Sequence, residues 1–419
     1  MIFACWVRSL DGNGVNRDRH GRITTKRQEY LMATFNLRRF SKPEMLRRID
    51  RKHLIAFLEP HAAYFSARGV ELPPVQHEDG LDYNALSHIL LTPDGSTPDD
   101  LAEALFYVNE VSTPEGFDSI QDEIAGTDID VEIGENAAPA DLAIQVWMAD
   151  REIIEKVHAE QFFMNVRSFE YFKTKKKPLP DFVLPSEETL AALEADLDEW
   201  FSKKRRGKYS KVFVYPKEGH TWFLVRHGKP YAREAVIEAG ESTSQYFRPE
   251  KFDVLAYNPV IGEIRMNAET KGEKELYRKK FGFHLFGDEE FFNERSRFDL
   301  EPLRQIGEDA LLCDDVDGIE YVRLKEVQVF WGGAHKDVEI RRSEDIFASL
   351  RDRGASLPGG GKIIKASFQI KFEGSKTPRS VILSSGNRAQ FKRDGDAEVI
   401  ERWLGLRGFI VGAGGTSDE

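Results

Sequence analysis

The pattern of apolar residues divides the chain into two regions with different periods. From about residue 41 to residue 165, apolar residues recur at the three- and four-residue intervals of amphipathic helices. From residue 211 onward, short apolar runs separated by Gly, Pro and Asn indicate strands. Helices first and strands later predict an α+β protein with a helical N-terminal region followed by a β-rich mixed C-terminal body.

Changes in composition set the predicted domain boundaries. Residues 32–165 are predicted to form a helical domain and residues 211–411 a β-rich α+β domain. Between them, residues 166–210 are predicted to be a basic linker followed by an amphipathic helix. The last residues, 412–419, are rich in Gly, Ser and acid, and we expect a flexible tail there.

The first 31 residues form a separate segment in this interpretation. They carry several arginines and lysines among glycines and polar residues, and they show no helical or strand period. We therefore expect residues 1–31 to be a disordered basic extension. Because Met32-Ala33-Thr34 resembles an ordinary protein start, Met1 and Met32 both remain candidate start residues.

Several helix starts in the first region carry recognisable signals. Ser41-Lys42-Pro43-Glu44 has the spacing of a capping box. The helix that opens at Thr97–Asp100 and the one that opens at Pro139–Ala143 both begin with the pattern Pro-x-Asp-Leu-Ala. The last two are 41 residues apart, which is compatible with a helical repeat. The intervening residues do not match, which favours two independent helix starts. The acid-rich run 115–141 is predicted to be a solvated loop.

The segment between the two regions is basic and aromatic. Ser186 is predicted to begin a helix whose apolar stripe consists of Leu190, Leu193, Leu197, Trp200 and Phe201. Of these, Leu193, Leu197 and Trp200 are expected to be buried. Its cationic end suits the negative end of the helix dipole, and this interpretation is the leading one. The alternative is a phosphate-binding patch in which Tyr171, Phe172 and Tyr209 join two basic clusters. The two clusters consist of Lys175, Lys176, Lys177, Lys203, Lys204, Arg205 and Arg206.

Composition narrows the classes of protein. The formal net charge of −12 argues against coating nucleic acid or an anionic membrane over the whole surface, although a local basic patch is compatible with it. Cys5 and Cys313 are the only cysteines, which excludes a disulfide framework and favours a reducing, cytoplasmic setting. No window approaches 18 consecutive apolar residues, so we expect no membrane association through a spanning helix.

One predicted hairpin carries candidate catalytic residues. Residues 249–271 contain two strands around an Asn-Pro turn, with Asp253 on the first strand and Glu269-x-Lys271 at the end of the second. This arrangement resembles the PD-(D/E)xK nuclease superfamily. The resemblance implies that Asp253 and Glu269 are ligands of Mg²⁺ and that Lys271 positions the attacking water. On a strand, Glu269 and Lys271 would point to the same face.

A second motif resembles a different family. Arg226-His227-Gly228, at the end of a predicted strand, resembles the Arg-His-Gly motif of histidine phosphatases. The resemblance implies that His227 is a phosphorylated nucleophile and that Arg226 binds phosphate. The chain offers no second His-Gly pair, and this function is the less favoured alternative.

The leading functional prediction is a non-catalytic or accessory protein that binds a macromolecular partner. A protein partner is expected, nucleic acid is possible through a local basic patch, and membership of a bacterial multi-protein system acting on nucleic acid is one interpretation. No cofactor is expected under this hypothesis, and Mg²⁺ only under the nuclease alternative. No complete catalytic motif was found, since the Gly-rich run Pro358–Lys362 lacks the Walker spacing. The oligomeric state is left open.

A chain that begins at Met32 should unfold at the same temperature as the full chain. The reason is that residues 1–31 have no apolar period with which to pack into a core. Thermal unfolding followed by circular dichroism measures this, and a fall of several degrees would show that the N-terminal residues pack against the folded body.

Overall fold

The structure is a computed structural model that describes most of the chain. It describes residues 37–74, 80–134, 137–217, 219–238, 240–393 and 395–411. Before residue 37 it describes strands β1 (Asn16–Arg17) and β2 (Ile23–Thr24), which pair antiparallel. The predictions of a disordered extension at residues 1–31 and a flexible tail at residues 412–419 otherwise lie outside the described residues. The chain divides into two compact units, Met1–His158 and Ala159–Glu419.

Apart from β1 and β2, the elements described in the first unit are helices. They are α1 (Pro43–Leu46), α2 (Arg51–Leu58), a 3-10 turn (Glu59–His61), α3 (Ala62–Ala67), α4 (Tyr83–Leu91), α5 (Asp99–Val111), α6 (Pro114–Ile124), α7 (Pro139–Ala149) and α8 (Arg151–Met164), within which the division falls. Their apolar faces share one core, to which Leu54, Val108 and Ile144 contribute fully buried side chains. No helix in the described ranges combines the length and hydropathy needed to cross a membrane.

Two expectations about this unit are wrong. The acid-rich run begins with a helix, because Thr113 caps α6 through the backbone N–H of Gly116, and Ile120 is fully buried. The acids lie on the solvent side of an amphipathic helix. Ser41 does not cap α1, whose first flanking residue is Lys42 without a side-chain cap.

A ten-stranded sheet organises the second unit. The elements are β3 (Ser168–Lys173), α9 (Glu187–Lys203), β4 (Lys211–Lys217), β5 (His220–Gly228), β6 (Ala232–Glu238), β7 (Glu241–Phe247), β8 (Glu250–Asn258), β9 (Glu263–Asn267), α10 (Lys271–Phe286), α11 (Pro302–Gln305), a 3-10 turn (Gly307–Leu311), β10 (Ile319–Gly332), β11 (Asp337–Arg342), α12 (Ile346–Arg351), β12 (Lys362–Phe372), β13 (Arg379–Ser384), β14 (Arg388–Gln390) and α13 (Ala397–Leu406). The strand order is β11-β10-β12-β13-β14-β3-β9-β8-β5-β4, all antiparallel. Strands β6 and β7 form a separate hairpin. The predicted α+β class is confirmed.

Both faces of the central strands are buried. Along β5, Trp222 and Leu224 enter one core, whereas Phe223 and Val225 enter the other. Because alternate residues of a strand point to opposite faces, β5 needs an unbroken apolar run rather than an alternating one. Helices α9 and α10 cover the face that contains Phe223.

The predicted hairpin within residues 249–271 is confirmed, since β8 and β9 pair antiparallel. Val254 lies opposite Asn267, and Asn258 lies opposite Glu263. The second strand ends at Asn267, earlier than predicted. The short apolar run Gly408–Val411 near the end of the chain also predicts a strand, and this prediction is wrong. Among the described residues this segment forms only an isolated bridge, from Ile410 to Phe298.

Helix α9 shows which aromatic residue faces the core. Leu193, Leu197 and Phe201 are buried, whereas Trp200 is only partly covered. The expectation that Trp200 completes the buried stripe is therefore wrong. Leu197 and Phe201 are four residues apart and share a face, so Phe201 takes the buried position.

The Phe201→Ala substitution should lower the free energy of unfolding by about 3–5 kcal/mol, because it removes a fully buried ring. Trp200→Ala is the matched control and should cost clearly less. Urea unfolding of both variants measures this. A larger loss for Trp200→Ala would contradict the assignment of the buried face.

Candidate functional site

Polar side chains meet beneath α9 and α10, on the sheet face that those helices cover. Lys251 and Asp253 lie two residues apart on β8 and share this face, with His227 opposite Lys251 on β5. Glu273 and Tyr277 lie one turn apart on α10 and face the same strands. His227, Asp253, Glu273 and Tyr277 are each at most 2% exposed, so this is an internal site.

Each carboxylate oxygen in this network has a partner. Asp253 Oδ2 accepts a hydrogen bond of 2.8 Å from Tyr277 Oη and lies 3.0 Å from His227 Nε2, while Oδ1 lies 3.1 Å from Lys251 Nζ. Glu273 Oε1 lies 2.5 Å from Arg206 Nη1 and 3.1 Å from Lys251 Nζ. The ammonium of Lys251 therefore bridges two buried carboxylates.

The protonation of these groups follows from their contacts. Burial alone would raise the pKa of Glu273, but hydrogen bonds from Arg206 and from the Thr270 backbone, with the charge of Lys251, lower it to about 2. Burial opposes the charge of Lys251, yet Asp253 and Glu273 raise its pKa above the ordinary value. Burial, followed by the neighbouring Asp253, raises the pKa of Tyr277 well above its usual range. Glu273 and Lys251 are thus a charged pair at neutral pH, and Tyr277 is a neutral donor.

The structure brings two of the three predicted nuclease residues close together. Asp253 and Glu269 both contact Lys251 Nζ, at 3.1 and 3.3 Å, so their oxygens are separated by no more than the sum of those distances. Glu269 is nevertheless 46% exposed. Lys271 is exposed and begins α10, so the expectation that it shares a strand face with Glu269 is wrong.

The donor set does not fit a Mg²⁺ site. Asp253, Glu273 and His227 are the residue types that bind metals, and their ligand atoms lie within 4.8 Å of one another. However, Lys251 Nζ occupies the position between the carboxylates where a cation would bind, and both oxygens of Asp253 already accept contacts. A divalent ion would have to displace a buried ammonium that neutralises the same charges. The site is an ion-pair network with its own cation.

The residues of the Arg226-His227-Gly228 motif point in opposite directions. His227 stacks on Phe201 with ring centroids 4.1 Å apart, inside the core. Arg226 lies on the opposite face of β5, where its guanidinium is 3.9 Å from Glu250 and above the ring of Phe213. This arrangement does not place the two side chains around one phosphate.

The two predicted basic clusters lie at opposite ends of α10. Arg206 pairs with Glu273 at its start, whereas Lys176 pairs with Asp288 just beyond its end. Sixteen helical residues span about 24 Å, so the clusters do not form one patch. Lys175 is also paired, with Glu294 at 2.9 Å. Tyr171 and Phe172, proposed as stacking residues, are buried.

A second internal polar cluster lies near β9 and α13. Burial raises the pKa of Glu263 to about 7, against the lowering effect of Arg297, whose Nη1 lies 3.0 Å away. Arg265 Cζ lies 4.8 Å from the centre of the Trp222 ring and its Nη1 only 3.9 Å from Glu401. The guanidinium groups of Arg265 and Arg297 are packed against aromatic rings, and the cluster adds a polar layer to the apolar core.

Sequence patterns could have indicated part of the first network. Lys251-x-Asp253 places two charges on one face of an otherwise apolar strand, and Glu273 and Tyr277 have helical spacing. No local pattern contains the packing of α10 against β8, or the register of β5 against β8 that places His227 opposite Lys251. No known protein-family model matches the sequence, and no curated protein matches it significantly.

The Glu273→Gln substitution should destabilise the protein in a pH-dependent way. The pKa of Glu273 falls from 4.5 to about 2 on folding, so its stabilising charge is fully present above about pH 5 and is lost as the pH falls toward 2. We expect a loss on the order of 3 kcal/mol at pH 7 that shrinks below pH 5. Urea unfolding across this pH range measures it.

Glu269→Gln is the matched control, since its carboxylate contacts the same lysine but is half exposed. Its effect should stay below about 1 kcal/mol. A loss for Glu273→Gln that does not vary with pH would show that shape rather than charge determines its contribution.

Proposed function

We propose that the protein is a non-catalytic nucleic-acid-binding protein that holds single strands on a surface of cations and exposed tyrosines. This surface, called the basic patch below, lies where the end of α9 meets the β5–β6 turn and the start of β8. The basic patch consists of Lys204, Arg205, Lys208, Tyr209, Lys229, Tyr231 and Arg248.

The side chain of Arg248 is the observation that carries the proposal. Its Nη1 donates hydrogen bonds of 2.8 Å to the carbonyl oxygens of Arg205 and Lys229, and its guanidinium lies 4.5 Å from the centre of the Tyr231 ring. Arg248 thereby joins two loops that are distant in sequence. The approach is close enough that a Cβ on Gly228 would meet Arg248 Cδ at 2.5 Å and the Arg206 carbonyl at 2.6 Å. This position therefore requires glycine.

The chemistry of the basic patch suits a single strand. Lys204, Arg205 and Lys208 are exposed, and none forms an ion pair with a described residue. Tyr209 is 67% exposed and Tyr231 is 69% exposed. Unpaired cations contact phosphates, and exposed aromatic rings stack on bases that a duplex would keep stacked internally.

The net charge of −12 is compatible with a local site of this kind. At physiological salt, charges farther away than about 8 Å are largely screened. Lys203 and Arg206 do not belong to the basic patch, because Glu199 and Glu273 pair with them. The self-neutralised network behind the patch supports a binding function over a catalytic one, since its carboxylates are already occupied by Lys251 and Arg206.

Combined substitution of Lys204, Arg205 and Lys208 by Ala should weaken binding of a fluorescently labelled oligothymidylate. Each lost phosphate contact should reduce the slope of log K against log salt by about 0.7. Substituting Tyr209 and Tyr231 by Ala should instead weaken binding by about 1–3 kcal/mol per stacked base with little change in slope. Fluorescence anisotropy at several salt concentrations measures both.

The matched control replaces Lys175, Lys176 and Lys177 by Ala, which removes the same charge from the other end of α10. That variant should bind with the salt slope of the unmodified protein. Equal losses in the two triple variants would indicate non-specific attraction, and absence of binding by the unmodified protein would refute the proposal. Stronger binding of a duplex than of the single strand would refute the role of the tyrosines.

A further inference from the structure

The two edge strands of the ten-stranded sheet differ in whether side chains of the same chain cover their backbone N–H groups. At the β4 edge, Glu194 Oε1 on α9 accepts a 2.9 Å hydrogen bond from the backbone N–H of Val212. Asp198 accepts one of 2.8 Å from Ser210, and Pro216 removes a further donor. This edge is blocked against a further strand.

The β11 edge has no such cover among the described residues. Strand β11 is the last in the sheet order, and within the part of the chain that the structure describes it pairs with β10 alone. Val338 is 39% exposed and Ile340 is 50% exposed, both on one face. Glu339 and Arg341 lie on the other face, 3.6 Å apart within the chain. An exposed strand with apolar residues on one face is a template for pairing with another strand.

We propose that two copies of this protein associate by antiparallel pairing of their β11 strands about a two-fold axis at Ile340. In this register Ile340 lies opposite Ile340 of the second copy, and Glu339 lies opposite Arg341 of the second copy. The two-fold axis generates the second Glu339–Arg341 pair. The partner is a second copy because the strand is complementary to itself in charge.

Other registers oppose like charges. The two-fold axis is perpendicular to the sheet, and residues that lie opposite each other on adjacent strands must point to the same face. The axis therefore lies between the two copies of one residue, which face each other across it. An axis at Glu339 or at Arg341 would place that side chain opposite itself. An axis at Val338 would place Asp337 opposite Glu339, and one at Arg342 would place two arginines together. An axis at Asp337 would place that acid opposite itself. Of the six residues of β11, only Ile340 gives a register without a like-charge conflict.

The contact is small, so we expect a reversible dimer. A strand of six residues buries less surface than a standard protein–protein interface, which buries about 800 Å² on each partner. Backbone hydrogen bonds supply the attraction, and the Glu339–Arg341 pairs select the register. Association should therefore depend on concentration.

Charge-reversal variants test the register directly. Glu339→Arg alone places arginine opposite Arg341, and Arg341→Glu alone places glutamate opposite Glu339, so each variant should remain at the monomer mass of 47.9 kDa. An equimolar mixture of the two variants restores both opposite-charge pairs between unlike chains. We expect the unmodified protein and the mixture, but neither single variant, to approach twice that mass at on the order of 100 µM in sedimentation equilibrium.

A cysteine cross-link provides an independent test. With Cys5 replaced by Ser throughout, Ile340→Cys should form a disulfide-linked dimer on oxidation, because the two residues face each other across the axis. Val338→Cys is the control and should not, since it lies opposite Arg342. Thermal unfolding checks that each variant folds. A monomeric unmodified protein at this concentration, or a mixture no heavier than its components, would overturn the proposal.

Discussion

The ammonium of Lys251 is the contact on which the second unit depends. It lies 3.1 Å from Asp253 on its own strand and 3.1 Å from Glu273 on α10, and both carboxylates are buried. Two buried negative charges without a cation would cost several kcal/mol each. Lys251, together with Arg206, therefore makes it possible for α10 to pack against the sheet with Glu273 pointing inward.

The same network also fixes the turn of the chain at Arg205, which is part of the basic patch. Arg205 has a φ of 61°, a left-handed conformation that turns the chain at the end of α9. The next residue, Arg206, points inward to Glu273, while the carbonyl of Arg205 receives the guanidinium of Arg248. The buried ion pairs and the exposed cations thus share one turn of backbone. A substitution of Glu273 should therefore alter the backbone at the basic patch, because it removes the partner of Arg206.

The sequence was most informative where burial alone determines the structure. The apolar run of β5 and the β8–β9 pairing were predictable, because a strand between two cores is apolar on both faces over most of its length. The choice between Trp200 and Phe201 was not, because both fit a helical stripe and the phase of α9 depends on the sheet beneath it. The position of Lys271 was missed because the Thr270–Glu273 capping box begins α10 immediately after the strand.

The candidate nuclease residues show why a short pattern locates a site more readily than it identifies its chemistry. Asp253 and Glu269 do approach a common cation, as the pattern implied. Metal sites and buried ion pairs both require carboxylates at close range, so the residue types alone cannot separate them. The distinguishing residue is Lys251, which precedes Asp253 by two positions. Burial alone would lower its pKa, but Asp253 and Glu273 raise that pKa above the ordinary value. A lysine on the same strand face as the acid supplies the positive charge internally, and the site then stabilises the fold instead of recruiting an ion.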